Sequence, residues 1–309
     1  MKVKEFSPPN KLKTPVLFLV FNRLETTIQV FEEIKKVKPP RLYIASDGPR
    51  SNKIGELEKV NAIRIFLLEN IDWECKIKTL FRDENLGCKY AVSDAINWFF
   101  DNEEMGIILE DDCLPHNSFF WFCEELLIKY KYDLRIWHIS GNNFQNGIKR
   151  GNASYYFSKI NHIWGWASWA NRWSNYDVEI ESFERFKKTK KIKSIFNKKI
   201  DQRYWESTFQ NVFKGGIDTW DYQWTYTFLV NNGLSILPNQ NLISNIGFGI
   251  EATHTHDSNS SLSNLPTYSI SLPLKHPEFI IADFEADLYT LKKNFTKNFY
   301  LRNFIKLFK

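Results

Sequence analysis

Hydrophobic positions in the first 112 residues alternate between short unbroken runs and longer helical periodicities. Val16-Leu17-Phe18-Leu19-Val20-Phe21 is apolar throughout, the pattern of a strand covered on both faces. Thr26–Val37 carries Ile28, Phe31, Ile34 and Val37 at helical spacing, and Pro39-Pro40 ends it. Arg41–Ser46 reads as a second strand closed by Asp47-Gly48-Pro49, and Glu56–Ile71 as a second helix. Cys75, Ile77, Thr79 and Phe81 alternate with Lys76, Lys78 and Leu80, a third strand. Cys88, Ala91, Val92, Ala95, Ile96 and Phe99 mark a third helix. Met105–Leu109 is a fourth strand and runs directly into Glu110-Asp111-Asp112. Four strands with three intervening helices predict an α/β fold with a Rossmann-like, mostly parallel sheet flanked by helices.

Beyond Pro115 the pattern loosens. Phe119–Tyr130 reads as a helix and Arg135–Ser140 as a strand, and residues 155–175 are crowded with aromatics around Trp164-Gly165-Trp166. The expected organisation is a first half over residues 1–115, a second half of the same domain over 116–265, and a C-terminal extension over 266–309. No internal repeat or low-complexity linker interrupts it. Aromatic residues reach 16%, a fraction that suits grooves for flat or ring-shaped ligands such as sugars and bases. The net charge of +5 is too mild to argue for nucleic-acid binding. Cys75, Cys88, Cys113 and Cys123 form no C-x-x-C pair, so they read as free thiols of a reducing, cytoplasmic compartment. The run at Val16–Phe21 is too short for a membrane span, and Asn22-Arg23 stands where a signal cleavage site would need small residues.

Glu110-Asp111-Asp112 is the strongest chemical signal. Three adjacent carboxylates at the end of a buried strand repel one another and lose solvation, and a hard divalent cation, Mg²⁺ or Mn²⁺, relieves both penalties. The carboxyl ends of parallel strands are also where such sheets bind ligands. Along that rim the first strand contributes Asn22-Arg23, the second Asp47 and the third Arg82. Arginine suits phosphate, and an aspartate suits a base N–H. No glycine-rich loop follows the first strand, which disfavours a dinucleotide fold, a P-loop and a sugar-1-phosphate nucleotidyltransferase.

The ordered set Phe-Asn-Arg, Ser-Asp-Gly, Asn-Leu-Gly and Ile-Leu-Glu-Asp-Asp resembles the GT-A nucleotide-sugar glycosyltransferases. It is most similar to the N-acetylglucosaminyltransferase I group and its bacterial relatives over roughly residues 15–120. The resemblance implies that Arg23 contacts the donor diphosphate or uridine and Asp47 the base, with Arg82 beside them. Glu110 and Asp111 would face donor sugar and ribose, and Asp112 would bind the metal. Trp220-Asp221-Tyr222-Gln223-Trp224 resembles the Trp-Asp-Asp-Trp segment that supplies the catalytic base, with Tyr-Gln where a second acid would stand. Asp221 is thus the expected base and Asp218 the fallback. Gly165-Trp166 resembles an acceptor-site Gly-Trp element. Gly247-Phe248-Gly249 precedes His254 and His256, of which His254 is the candidate further metal ligand.

The implied activity is inverting, metal-dependent transfer of a sugar from a donor, UDP-linked by resemblance, to a glycan or lipid-linked hydroxyl, in surface polysaccharide assembly. A nucleotidyltransferase, a metal-dependent phosphohydrolase and a non-catalytic glycan- or nucleotide-binding module are the alternatives. Residues 187–199 contain seven lysines. Leu288–Lys309 carries six basic residues and no acid among Leu291, Phe295, Phe299 and Phe304. Both stretches suit either an anionic membrane surface or, for the tail, packing on its own domain.

Overall fold

The structure is a computed structural model and describes residues 6–249 and 260–296. The alternation expected of the first half is present, with element ends displaced by one or two residues. It runs β1 (Val16–Val20), α1 (Leu24–Val37), β2 (Arg41–Ser46), α2 (Glu56–Asn70), β3 (Lys76–Phe81), α3 (Gly87–Phe100) and β4 (Met105–Glu110). These four strands are parallel in the order β3-β2-β1-β4. Side chains alternate along β1, so Val16, Phe18 and Val20 pack with Val30, Phe31 and Ile34 of α1 on one face. Leu17 and Leu19 meet Ala95, Ile96 and Phe99 of α3 on the other. With both faces covered, no position of β1 needs a polar residue.

The second half extends the same sheet. Its elements are β5 (Cys113–Pro115), α4 (Ser118–Lys129), β6 (Ile136–Ser140), β7 (Tyr155–Ser158), β8 (Trp166–Trp169), α5 (Ala170–Trp173), α6 (Phe183–Thr189) and α7 (Ile192–Ile195). Then follow α8 (Lys199–Phe213), α9 (Asp221–Val230), β9 (Leu234–Pro238), β10 (Ile243–Asn245) and α10 (Phe284–Thr290). The full sheet is ordered β3-β2-β1-β4-β8-β6-β9-β7, and only β8 and β7 run against the rest. β5 and β10 form a separate antiparallel pair. The α/β fold with a mostly parallel central sheet is therefore as expected.

Two features position the site. Chain connections from β1 step outward to β2 and β3, then return across β1 to β4. The carboxyl ends of β1 and β4 therefore flank a topological switch point, where the diverging connections leave a crevice. On the far side of β4, the indoles of Trp166, Trp173, Trp220 and Trp224 pack with centroids 5.0–6.4 Å apart. This cluster fixes the start of α9 beneath the crevice. All four cysteines are free thiols. Among the described residues no helix is long and apolar enough to cross a membrane.

The C-terminal segment packs on the domain as far as it is described. Asp283 caps α10 by accepting from the Ala286 N–H at 2.9 Å. A wider π-helical turn, Leu291–Phe295, follows. Leu291 is buried, and the Phe295 ring lies 5.1 Å from Trp205 and 5.9 Å from Tyr204. Leu291 and Phe295 are thus turned to the protein; residues 297–309 lie outside the described residues.

Asp287 of α10 is buried, accepting from the Ser158 hydroxyl and, at 3.1 Å, from the Lys159 N–H. Burial nevertheless pushes its pKa up to about 6. A carboxyl raised in the folded state favours folding when protonated, so its contribution is present below pH ~4 and is lost as pH rises through about 6. Denaturant midpoints measured from pH 4 to 7 are expected to show this decline, of up to about 3 kcal/mol. Asp287→Asn is expected to flatten it.

Candidate functional site

β4 ends at Glu110, and alternation along the strand sends the next two carboxylates in different directions. Asp111 is buried beneath the crevice, accepting from the Phe21 N–H at 3.2 Å and from the Arg23 guanidinium. Asp112 accepts from the same guanidinium at 3.0 Å and reaches the cavity. Arg23 leaves the end of β1 at the point where α1 begins, so the switch point itself brings it to the acids.

That cavity has a volume of ≈ 530 Å³ and is lined by Arg23, Glu110 and Asp112 together with Asp221, Cys88, Asn142, Asn161, His162 and several aromatic side chains. Burial and the carboxylates of Asp112, Asp111 and Asp221 hold the Glu110 carboxyl well above its usual range, with Arg23 acting against them. Burial pushes Asp111 up to about 6 despite Arg23. Burial alone would weaken the charged form of Arg23, but Asp111 and Asp112 outweigh it and the guanidinium stays firmly charged. Cys88 is raised by burial and by the surrounding acids, so it remains a thiol.

Asp221 opens α9 at the cavity wall and accepts from the Thr219 hydroxyl. Its neighbours Trp220 and Trp224 are anchors rather than lids. Trp220 stacks on Trp166 at 5.7 Å, and Trp224 donates to His138 Nδ1 at 3.3 Å. His138 Nε2–H in turn donates to the His162 carbonyl at 2.8 Å. Burial lowers His138 to about 4, so it is a neutral link.

Several expected site residues have other tasks. Asp47 accepts from the N–H groups of Gly48, Leu86 and Gly87 and from Asn85 Nδ2, at 2.9–3.1 Å, and does not reach the cavity. The fallback base Asp218 accepts from the Lys89 N–H at 3.1 Å. The two carboxylates satisfy the N-terminal amides of α3, which otherwise lack partners. Arg82 is paired with Asp94 of α3, away from the cavity. Asp111 is under the cavity, not in it. Trp166 has no exposed face, lying between His138 and Trp220, so it is core and cannot stack on a sugar. Gly165 has φ +62°, and a Cβ there would stand 2.5 Å from Ile243, a packing requirement. His254 and His256 lie outside the described residues.

The residues that sequence reasoning missed are Asn142, Asn161, His162, Trp205 and Asn294, all lining the cavity. Asn142 had a usable signal, since it follows β6, whose carboxyl end lies on the same rim as those of β1 and β4. Trp205 and Asn294 reach the site only through tertiary packing.

Among the described residues no three His, Cys, Asp or Glu side chains converge on one point. Glu110 and Asp112 nevertheless offer hard oxygen donors to one cavity. One or two carboxylates, completed by substrate phosphate and water, are how Mg²⁺ is commonly held. The residues fit such an ion.

The chain matches no protein family profile and no curated protein. Among solved structures it is similar to the galactosyltransferase LgtC in complex with donor and acceptor sugar analogs. Identity there is 13%, over 72% of this chain and 86% of that one, with a TM-score of 0.34. It is also similar to UDP-glucose pyrophosphorylase complexed with UDP-glucose, at 10% identity over 53% and 79% with a TM-score of 0.32. The glycosyltransferase GlyE of Streptococcus pneumoniae TIGR4 shares 12% identity over 67% of this chain and 52% of that one, with a TM-score of 0.29. Likeness at that level carries no functional weight.

Removing Arg23 leaves Asp111 and Asp112 facing each other without a counter-charge. Arg23→Ala is expected to destabilise the protein by about 1–3 kcal/mol at pH 7. Adding Asp111→Asn is expected to restore part of that loss, and a double-mutant cycle of denaturant midpoints checks it.

Proposed function

We propose that the protein is a glycosyltransferase that uses a nucleotide-diphosphate sugar, UDP-linked, and transfers the sugar to a hydroxyl of a glycan or lipid-linked acceptor. The observation that carries this reading is the meeting of two separate carboxylate sets in one cavity. Glu110 and Asp112 come from the end of β4, and Asp221 comes from the start of α9. A cation held by Asp112 and a diphosphate would take up charge on the leaving group. Arg23, already at that point, is placed to share the phosphate oxygens.

Asp221 is the proposed base. An acceptor hydroxyl is a poor nucleophile at neutral pH, and a carboxylate that accepts its proton in the transition state contributes ~10²–10⁴-fold. The Thr219 hydroxyl and the packed indoles on either side hold this carboxylate in one orientation. An acceptor has room to approach. A second cavity of ≈ 800 Å³ shares Phe144, Leu262 and Asn294 with the first and continues it outward. With Asp221 as the base, attack in line with the departing diphosphate would give the inverting outcome.

The test is a thermal-shift panel of UDP, GDP, dTDP and CMP with and without Mn²⁺. Stabilisation by UDP that requires Mn²⁺ and is lost in Asp112→Asn is the expected result. Asp221→Asn is expected to keep that shift and lose transfer by ~10²–10⁴-fold. Consumption of a nucleoside triphosphate with sugar 1-phosphate and release of pyrophosphate would instead identify a nucleotidyltransferase. Donor turnover without any acceptor would identify a hydrolase.

A lipid-linked acceptor would require contact with a membrane surface, and the exposure of the lysine stretch supports that reading. Lys188, Lys190, Lys191, Lys193, Lys198 and Lys199 are all exposed. The apolar side chains of Ile195 and Phe196 share a groove with Ile281 and Phe284, which are themselves exposed. Co-sedimentation with phosphatidylserine vesicles is expected, falling with salt and absent for phosphatidylcholine. Replacing Lys191, Lys193 and Lys198 by Ala is expected to weaken it about a hundredfold, at ~1 kcal/mol per charge. Equal binding by wild type and variant would reject this surface.

A further inference from the structure

Buried polar atoms nearly always find hydrogen-bond partners, so each one without a partner in the protein calls for a water or a ligand. Five such atoms belong to residues lining the cavity: Asn142 Oδ1, Asn161 Nδ2, His162 Nε2, Trp205 Nε1 and Asn294 Nδ2. Asn142, Asn161, His162 and Trp205 are each more than nine-tenths buried. Neighbouring bonds set which amide atom is left over. Asn161 Oδ1 is taken by the Thr225 hydroxyl at 3.1 Å, which leaves Nδ2. Asn142 Nδ2 is directed to the Ile243 carbonyl at 3.4 Å, which leaves Oδ1.

We propose that these atoms form a recognition subsite for a neutral sugar ring that presents hydroxyl or acetamido oxygens. Asn161, Trp205 and Asn294 each offer an N–H donor, so the complementary ligand must be rich in acceptors. An anionic sugar would face Glu110, Asp112 and Asp221, with Arg23 the one cation among the described residues lining the cavity and already held by two carboxylates. His162 supplies no charge, because burial and the nearby His138 keep it neutral, with a pKa lowered to about 3. The rings of Phe144 and Trp164, 5.4 Å apart, give the apolar surface that sugar C–H groups require.

The proposal deepens the transferase reading by naming the class of sugar, and it rests on that reading only for the sugar's link to a nucleotide. Saturation-transfer NMR with methyl glucoside, methyl galactoside, N-acetylglucosamine and glucuronate tests it on the full chain. At least one neutral sugar is expected to bind, with glucuronate at least about tenfold weaker. Asn161→Asp keeps the shape and the bond to Thr225 but removes the donor, and it is expected to weaken neutral-sugar binding by about tenfold or more. Asn294→Ala is the second variant, for use should the first fail to fold. Absence of binding by every neutral sugar, indifference to both variants, or equal binding of glucuronate would overturn the subsite. UDP with Mn²⁺ is titrated into the same wild-type samples. Sugar binding without UDP binding keeps the subsite and removes the transferase reading, whereas UDP binding without sugar binding does the reverse.

Discussion

The site depends on one guanidinium placed across a topological switch point. Three consecutive acids at the end of a buried strand are costly, because each carboxylate loses water and faces its neighbours. Arg23 offsets much of this by bonding Asp111 and Asp112 together, and the fold delivers it there because β1 and β4 are adjacent parallel strands. The sheet order thus solves an electrostatic problem that the strand sequence creates. Glu110, with no such partner, keeps a raised pKa and faces the cavity. A ligand with a cation of its own finds two carboxylates of different character: one still elevated, the other already engaged.

This arrangement divides the acids of the rim by task. Asp47 and Asp218 face the same half of the molecule as the catalytic candidates, yet they bond the first amides of α3 from two distant loops. They hold the helix that carries Cys88 against the cavity. Among the described residues Glu110 and Asp112 have no comparable set of backbone donors, and together with Asp221 they line the cavity. Backbone satisfaction, more than position on the rim, sets Asp47 and Asp218 apart from Glu110 and Asp112 here.

The parallel half was legible because each strand is short, apolar and followed by a clear break. Burial on both faces of β1 and β4 leaves an unmistakable run, and the acids that follow β4 could be assigned to a rim. Asp221 was legible through its flanking tryptophans, although the indoles turned out to be ballast that fixes its position. The rest was hidden for identifiable reasons. β8 is four residues long and has no alternation, since both its faces are buried, so Trp166 reads equally well as core or as a sugar platform. Whether Asp47 faces a ligand or a helix end depends on where α3 begins relative to the loop after β2, a tertiary fact. The polar lining at Asn161, His162 and Asn294 comes from loops and the C-terminal segment, where spacing along the chain carries no information.

β8 also decides how the molecule can respond to a substrate. Its backbone bonds β4 along one edge and β6 along the other, so the strands that bear the acids and the strand that leads to Asn142 are rungs of a single ladder. Separating them would break main-chain bonds in the middle of the sheet. The protein is therefore built as a fixed anvil rather than a hinged jaw, and accommodation of an incoming molecule falls to side chains along the crevice.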